Sequence, residues 1–333
     1  MLTEILLAAE ADPTVTVGGI LPAIGGNIRV GGPEFFVAEA CEYTNSFLSF
    51  FPTLEIILNI EADHLDFFKD LEDIRHSFRL FAQKLDENGV LIINRDIERM
   101  EEITEGLPCK VITFGKDPEK SIYSAADIVF DQLARASYTL LIEGRPEGTI
   151  TLGVPGMHNV YNSLSAIAAS RELGISMEKI RTGLLHFTGT NRRFEKKGEI
   201  GGVTVIDDYA HHPQEIRATL TTAKNYPHKK LWCVFQPHTY TRTAALLDDF
   251  VQALMEADEV ILADIYAARE VNTIGISSAD VAERIQAAGG KAHYIPSFDD
   301  IETFILENCV PGDLLITMGA GDIVKVGEKL LGL

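Results

Sequence analysis

Apolar residues recur along this chain in two rhythms. Short runs such as LEIILNI, GVLIINRD, CKVITFG, VTVID, LWCVFQ, EVILADIY, KAHYI and DLLITMG predict buried strands. Between them, DLEDIRHSFRLFAQKL, IERMEEITEGL, AALLDDFVQALMEA, SADVAERIQAAG and VKVGEKLLGL place apolar residues three and four apart, which predicts amphipathic helices. Strict alternation of the two predicts α/β layers with mainly parallel sheets. At the start, Leu2, Ile5, Leu6 and Ala9 share one helical face. The glycine-paired stretch TVTVGGILPAIGGNIRVGG follows, and FFVAEA then predicts another buried strand. From Ile122 to Val154 the pattern shortens to hairpin-like strands, clearest in ASYTLLIEGRPEGTITLGV, before helices after PGMHN and in SMEKIRTGLLHF.

The character changes near Gly189, where GTNRRFEKKGEIGG opens a second unit. From there strand and helix repeat as in a doubly wound sheet, so the expected domains are 1–188 and 189–333.

Composition narrows the function. The 333 residues are 46% hydrophobic and 23% charged, the balance of a globular protein. With 29 basic against 49 acidic residues the formal charge is −20, which argues against a nucleic-acid surface but leaves room for a local basic pocket. Cys41, Cys109, Cys233 and Cys309 are widely separated, so neither a zinc site nor a disulfide framework is expected, and a reducing cytoplasm fits. Glu4 and Glu10 stand where a signal peptide would carry basic residues, and no apolar run reaches membrane-spanning length.

Polar clusters follow four predicted strands, the position where open α/β sheets collect ligands. Glu39 with Asn59–Asp66 supplies one or two oxygens for a magnesium ion, or is a solvated acidic loop before a helix. His158, Asn159 and Asn162 open a helix; the two asparagines, three apart, either meet one planar ligand edge or cap the helix. Arg192 and Arg193 suit phosphate or carboxylate oxygens, or neutralise neighbouring acids. In DDYAHHP, neighbouring side chains on an extended backbone point oppositely, so one acid and one histidine are expected to face a ligand. Pro213 then begins a helix, and His238 and Arg242 approach from the next strand. The glycines of MGAGDI signal a tight turn. A metal-dependent hydrolase built on EADHLD and DDYAHH would need closer ligand spacing than this.

VAEACE, NIEADHLDFF, GMHNVYNSLSA, GTNRRFE, DDYAHHPQEI, FQPHTYTRT and MGAGDI, in this order from Val37 to Ile323, resemble the Mur ligase family. FQPHTYTRT with DDYAHHP is most similar to the branch that adds L-alanine to UDP-N-acetylmuramate. The branch that recycles a preformed tripeptide shares the acidic-aromatic-Ala-His-His-Pro motif. The resemblance implies an α/β chain, with a central Mur-ligase-type ATPase domain followed by a doubly wound Rossmann-like C-terminal domain. It implies ATP-dependent amide formation through an acyl phosphate, with Mg2+ held by Glu39 and His64. His158, Asn159 and Asn162 would contact the nucleotide, Arg193 its phosphates and Asp208 its sugar. Tyr209, His211, His238 and Arg242 would line the alanine and acyl-phosphate side. Thr239 stands where some members carry arginine, and Cys41 where others carry aspartate.

One departure is large. Family members carry a UDP-binding domain and a phosphate loop of the form GTHGKT, and this chain contains no GxxxxGK[ST] stretch. The central domain is therefore expected to be incomplete, without the strand that leads into that loop and with exposed strand edges prone to association. Losing one preorganised charge-stabilising donor costs about 3–4 kcal/mol of barrier, and losing the loop lysine, several backbone N–H groups and the UDP-binding domain together is expected to leave the chain alone inactive. The alternatives are a partner polypeptide supplying the UDP-binding domain and loop, or a non-catalytic binding protein.

Overall fold

The computed structural model describes residues 1–64 and 67–333; Leu65 and Asp66, part of the candidate acidic loop, lie outside the described residues. The chain divides into two compact units, Met1–Val129 with Arg135–Thr188, and Phe130–Ala134 with Gly189–Leu333.

In the first unit, helix α1 (Leu2–Ala8) buries Ile5 and Leu6 completely. Strands β1 (Thr14–Leu21), β2 (Gly26–Arg29) and β3 (Phe36–Ala38) form a small sheet in the order β2-β1-β3. The expectation that FFVAEA is a buried strand is corrected here. β3 is an edge strand paired in parallel with β1 alone, and its Phe36 is 62% exposed.

The larger sheet holds β4 (Leu54–Ile57), β5 (Val90–Asn94), β6 (Lys110–Phe114), β7 (Tyr123–Phe130), β8 (Arg135–Ile142) and β9 (Arg145–Pro155), in that order; helices α2 (Leu71–Ala82) and α3 (Glu101–Thr104) fall between its first three strands. β4 to β7 pair in parallel, β8 with β9 antiparallel, and β4 forms one edge. Asp70 caps α2 by accepting from the Asp73 N–H at 3.0 Å. The helix expected over IERMEEITEGL shrinks to α3, because Arg99 takes φ +56° and Glu105 returns to an extended backbone. Helices α4 (Met157–Glu172) and α5 (Met177–His186) complete the unit; α4 starts inside PGMHN, not after it. Gly183 of α5 lets α1 approach closely, since a Cβ there would lie 2.4 Å from Ile5 Cα.

The second unit runs β10 (Glu195–Ile200), β11 (Val203–Asp208), α6 (Pro213–Lys224), β12 (Leu231–Phe235), α7 (Tyr240–Ala245), α8 (Leu247–Leu254), β13 (Glu259–Leu262), α9 (Ser278–Ala287), β14 (Ala292–Tyr294), α10 (Phe298–Asn308), β15 (Leu314–Met318) and α11 (Val324–Leu331). The helix read over AALLDDFVQALMEA is two, α7 and α8, broken at Leu246. The sheet order is β10-β11-β15-β12-β13-β14, parallel except for β10. Ile216, Leu220, Phe250, Leu254 and Ile285 cover one face, and Ile301, Ile305, Val326 and Leu330 the other. Both faces being buried explains the continuous apolar runs of β12 and β15. Because β15 inserts between β11 and β12, the chain reverses direction across the sheet there. The loops leaving the carboxyl ends of these three strands therefore meet, which is where such sheets bind ligands.

One core group is out of place electrostatically. Glu55 of β4 is 2% exposed, and both its carboxylate oxygens lack a hydrogen-bond partner among the described residues. Burial raises its pKa to about 8, with Lys84 offsetting part of the effect. A carboxyl pKa raised by folding contributes stability that is full below its ordinary value of 4.5 and is lost as pH rises through about 8. Glu55→Gln is therefore predicted to melt with the parent near acidic pH and to be more stable above pH 8, by roughly 2–4 kcal/mol. Circular-dichroism melts of both proteins across this range check it; parallel pH profiles would contradict the assignment.

Candidate functional site

Adjacent arginines in GTNRRFE do different work. Arg192, at φ +62°, turns its guanidinium inward. Its Nε donates to Asp207 Oδ2 at 2.9 Å, Nη2 to Gly319 O at 2.7 Å and Nη1 to Gly321 O at 3.1 Å. Asp207 is fully buried, and its other oxygen accepts from Thr317 Oγ1 at 2.7 Å. Burial pushes its carboxyl upward against the opposing pull of Thr317 and Arg192. The backbone closes the same knot: Tyr209 N–H donates to Arg192 O at 2.6 Å, and Gly319 N–H to Asp208 O at 3.0 Å. The MGAGDI turn needs its glycines because Gln236 fills the space beside them. A Cβ on Gly321 would lie 2.3 Å from Gln236 Oε1, which accepts from the Ile323 N–H at 3.2 Å.

Asp208 points the opposite way from Asp207, and also inward. Its oxygens accept from the Phe194 and Ala210 N–H groups, both at 2.8 Å, and it is 5% exposed. Burial raises its pKa to about 6 despite those bonds. The carboxylate that the resemblance assigns to a nucleotide sugar is thus engaged by its own backbone.

The open side of the site is aromatic and cationic. The guanidinium carbons of Arg192 and Arg193 lie 5.0 and 5.7 Å from the Tyr209 ring centroid. A row of rings continues from Tyr209 to His211 at 5.5 Å, to His238 at 5.8 Å and to Tyr266 at 5.7 Å. Arg242 Nη1 donates to His238 Nδ1 at 3.3 Å. An Nδ1 that accepts leaves the ring proton on Nε2. Burial, then His211 and Arg242, lowers the His238 pKa to about 4, so His238 is a neutral hydrogen-bond donor at pH 7.

The loop after β12 is held by the loop after β13. Thr239, at φ +66°, donates its N–H to Tyr266 O at 2.9 Å, and Glu270 accepts from the Tyr240 and Thr241 N–H groups at 2.7 and 3.0 Å. A β-branched residue at positive φ persists only where its surroundings over-determine it, as they do beside a binding site. His212 does not join the ring row; it caps α6, accepting from the Gln214 N–H at 3.5 Å. Glu215, on the first turn of α6, lies between His211 and Arg193.

The other candidates lie in the first unit. Asn159 Nδ2 donates to Pro155 O at 2.7 Å, and Asn162 Nδ2 to Asn159 Oδ1 at 3.3 Å, so the two amides do share a face. The residue capping this helix is Gly156, with no side-chain cap. His158 is exposed beside them. Exposed Glu39 accepts from the Gly18 N–H at 2.7 Å. His64 places Nε2 3.5 Å from Glu42 Oε1 and its ring 4.7 Å from that of Tyr43. That contact with His64 holds the Glu42 carboxyl below its usual range. Among the described residues no cluster of three or more His, Cys, Asp or Glu could hold a metal ion. The Glu39 carboxylate fits magnesium, which takes few protein oxygens and completes its shell with water and phosphate. The His64 imidazole fits poorly, because its nitrogen suits transition metals better than the oxygen-preferring magnesium and already faces Glu42.

Arg193, Tyr209, His211, His238 and Arg242 are thus gathered at one end of the second sheet. Arg192, expected beside Arg193 to meet a ligand or neutralise an acid, neutralises Asp207 instead, and the residues sequence reasoning missed are Glu215, Gln236, Tyr266 and Glu270. Of these only Glu215 carried a local signal, the acid three residues after a helix cap.

Residues 16–170 match the Mur ligase middle domain, and residues 192–321 the Mur ligase glutamate ligase domain. The chain is 65% identical over 331 residues to UDP-N-acetylmuramate–L-alanine ligase of Lachnospira eligens, covering 99% of this chain and 72% of that protein. It superposes with a TM-score of 0.81 on the UDP-N-acetylmuramate–alanine ligase of Thermotoga maritima, 27% identical, covering 99% of this chain and 71% of the other. A murein peptide ligase from Psychrobacter arcticus shares the fold with a TM-score of 0.71 at 24% identity, covering 99% and 73%.

Arg192→Ala leaves the buried Asp207 carboxylate without its cation and is predicted to destabilise the second unit by about 3 kcal/mol. The single tryptophan, Trp232, lies in this unit, so urea unfolding followed by its fluorescence reads the loss directly. A change below about 1 kcal/mol would show that the pair does not hold the turn.

Proposed function

The chain belongs to the Mur ligase family, and we propose that it carries the ATP-binding and amino-acid-binding parts of a ligase joining L-alanine to UDP-N-acetylmuramate. Residues 1–188 form the ATP-binding part and residues 189–333 the part that receives the amino acid. The observation that supports this most is the convergence of Arg193, His211, His238 and Arg242 beside Tyr209 at the switch point of the second sheet.

The chemistry asks for such a site. The lactoyl carboxylate oxygen attacks the γ-phosphorus of ATP, and the bond to the bridging oxygen breaks, releasing ADP. The alanine amine then attacks the acyl carbon of the mixed anhydride. The tetrahedral intermediate expels phosphate, which leaves with the electrons of the C–O bond. Every partner except the amine is anionic, so catalysis is mostly positioning and neutralisation. Arg193 and Arg242 supply fixed cations, and the neutral Nε2–H of His238 supplies a hydrogen bond without a charge to desolvate. His158, Asn159 and Asn162 serve the nucleotide. Bound Mg2+ would neutralise phosphate oxygens, with Glu39 its protein ligand. Asp208 acts by fixing the turn before Ala210.

No helix of the described residues is long and apolar enough to cross a membrane, and the four cysteines are free, which supports a cytoplasmic place of work. The lysine and hydroxyl of a phosphate loop are not encoded in these 333 residues and must reach the site from another segment or polypeptide. Phosphate release is therefore predicted at background for the chain alone with ATP, alanine and UDP-N-acetylmuramate. It should appear once a UDP-binding and phosphate-loop segment of a relative is appended, and fall about 100-fold in Arg193→Ala. Release with a tripeptide but not with alanine would favour the recycling branch. Full activity of the bare chain would overturn the requirement for the loop.

A further inference from the structure

Two of the groups placed at this site, Arg193 and His211, come from different loops, one before β10 and one after β11. A single carboxylate links them. Glu215 Oε1 accepts from Arg193 Nη1 at 3.2 Å, while Oε2 lies 3.3 Å from His211 Nδ1. Oε2 also accepts from the His211 and His212 N–H groups at 3.0 and 3.2 Å. Glu215 itself is fixed, sitting on the first turn of α6 behind Pro213 and inside the capping box with His212.

We propose that Glu215 is a positioning residue of the ligase site, holding the Arg193 guanidinium and the His211 imidazole at one place and setting the proton affinity of His211. The proposal rests on the ligase reading for its purpose, but not for its geometry.

A helix-capping acid needs only to accept backbone N–H groups, and one oxygen does that here. The second oxygen is spent on Arg193, and the contact to His211 Nδ1 is additional to the cap. His211 Nδ1 also faces Tyr209 O at 3.2 Å. Two acceptors on Nδ1 place a proton there, so any further proton must be taken on Nε2. The charged and titratable groups that face the imidazole within this unit include Glu215 on α6, Arg193 from the preceding loop, Tyr209 on its own loop, and His238 and Arg242 from the loop after β12. Glu215 is the anion among these named groups. It offsets the surrounding cations, and its own carboxyl is held below the usual range by His211 and Arg193 although burial opposes this.

Cap and positioning roles separate in one variant. In Glu215→Gln the amide oxygen still accepts the His211 and His212 N–H groups, so the helix start survives, but the anion is gone. Histidine-labelled NMR of the full chain should show the His211 pKa falling by about one unit or more. Melting should stay within a few degrees of the parent. In Glu215→Asp, which keeps the charge, His211 should titrate closer to the parent than it does in Glu215→Gln. His211 titrating at the same pH in Glu215→Gln and parent would overturn the proposal, as would an equal fall in Glu215→Asp. Failure of the ligase reading would appear instead as missing alanine-dependent phosphate release, with these titrations unaffected.

Discussion

A carboxylate cannot stay ionised in a protein interior without a partner, and the second unit is organised around that constraint. Asp207, one residue before the end of β11, has no exposure to solvent, and Arg192 reaches in to meet it. The guanidinium then has donors left over, which the carbonyls of Gly319 and Gly321 accept. One ion pair therefore ties together three segments distant in sequence: the turn before β10, the end of β11 and the turn after β15. The rest of the site is hung on this tie. Tyr209 begins where Arg192 O receives its N–H, and Asp208 holds Phe194 and Ala210 from the opposite face of the strand.

From that scaffold follows the electrostatic character of the site. A chain with formal charge −20 gathers three arginines and two histidines at one end of one sheet, with Glu215 holding Arg193 and His211 and Glu270 holding the backbone of the helix start that carries Arg242. Basic groups concentrated against the overall charge attract a small polyanion and leave nucleic acid unattracted elsewhere. His238 adds a different quality. Half-buried between His211 and Tyr266 and bonded by Arg242, it stays neutral and can donate without bringing charge.

The fold was largely legible because a doubly wound sheet buries both faces of its central strands, and LWCVF and DLLITM advertise this with unbroken apolar runs. Where burial is one-sided, the reading failed. FFVAEA has the composition of a core strand but pairs only once, and the helix over IERMEEITEGL yields to the turn at Arg99. At the site, the period of two foretold that Asp207 and Asp208, and His211 and His212, would diverge. It could not foretell that both carboxylates would point into protein, because what lies on each face of a strand is decided by other segments, Thr317 for Asp207 and Phe194 for Asp208. For the same reason sequence could not tell which of two adjacent arginines turns inward. The family motif supplied Arg193; the fold shows that Arg192 builds the place where Arg193 stands.

The central claim is that one buried ion pair makes these three segments a single cooperative element. Native-state amide hydrogen exchange in the parent and in Asp207→Asn tests it most directly. The N–H groups of Phe194, Tyr209, Gly319 and Ile323 should open with a common free energy and lose protection together in the variant. If Gly319 and Ile323 kept their protection while Phe194 and Tyr209 lost theirs, the segments would be independent and the ion pair would not unite them.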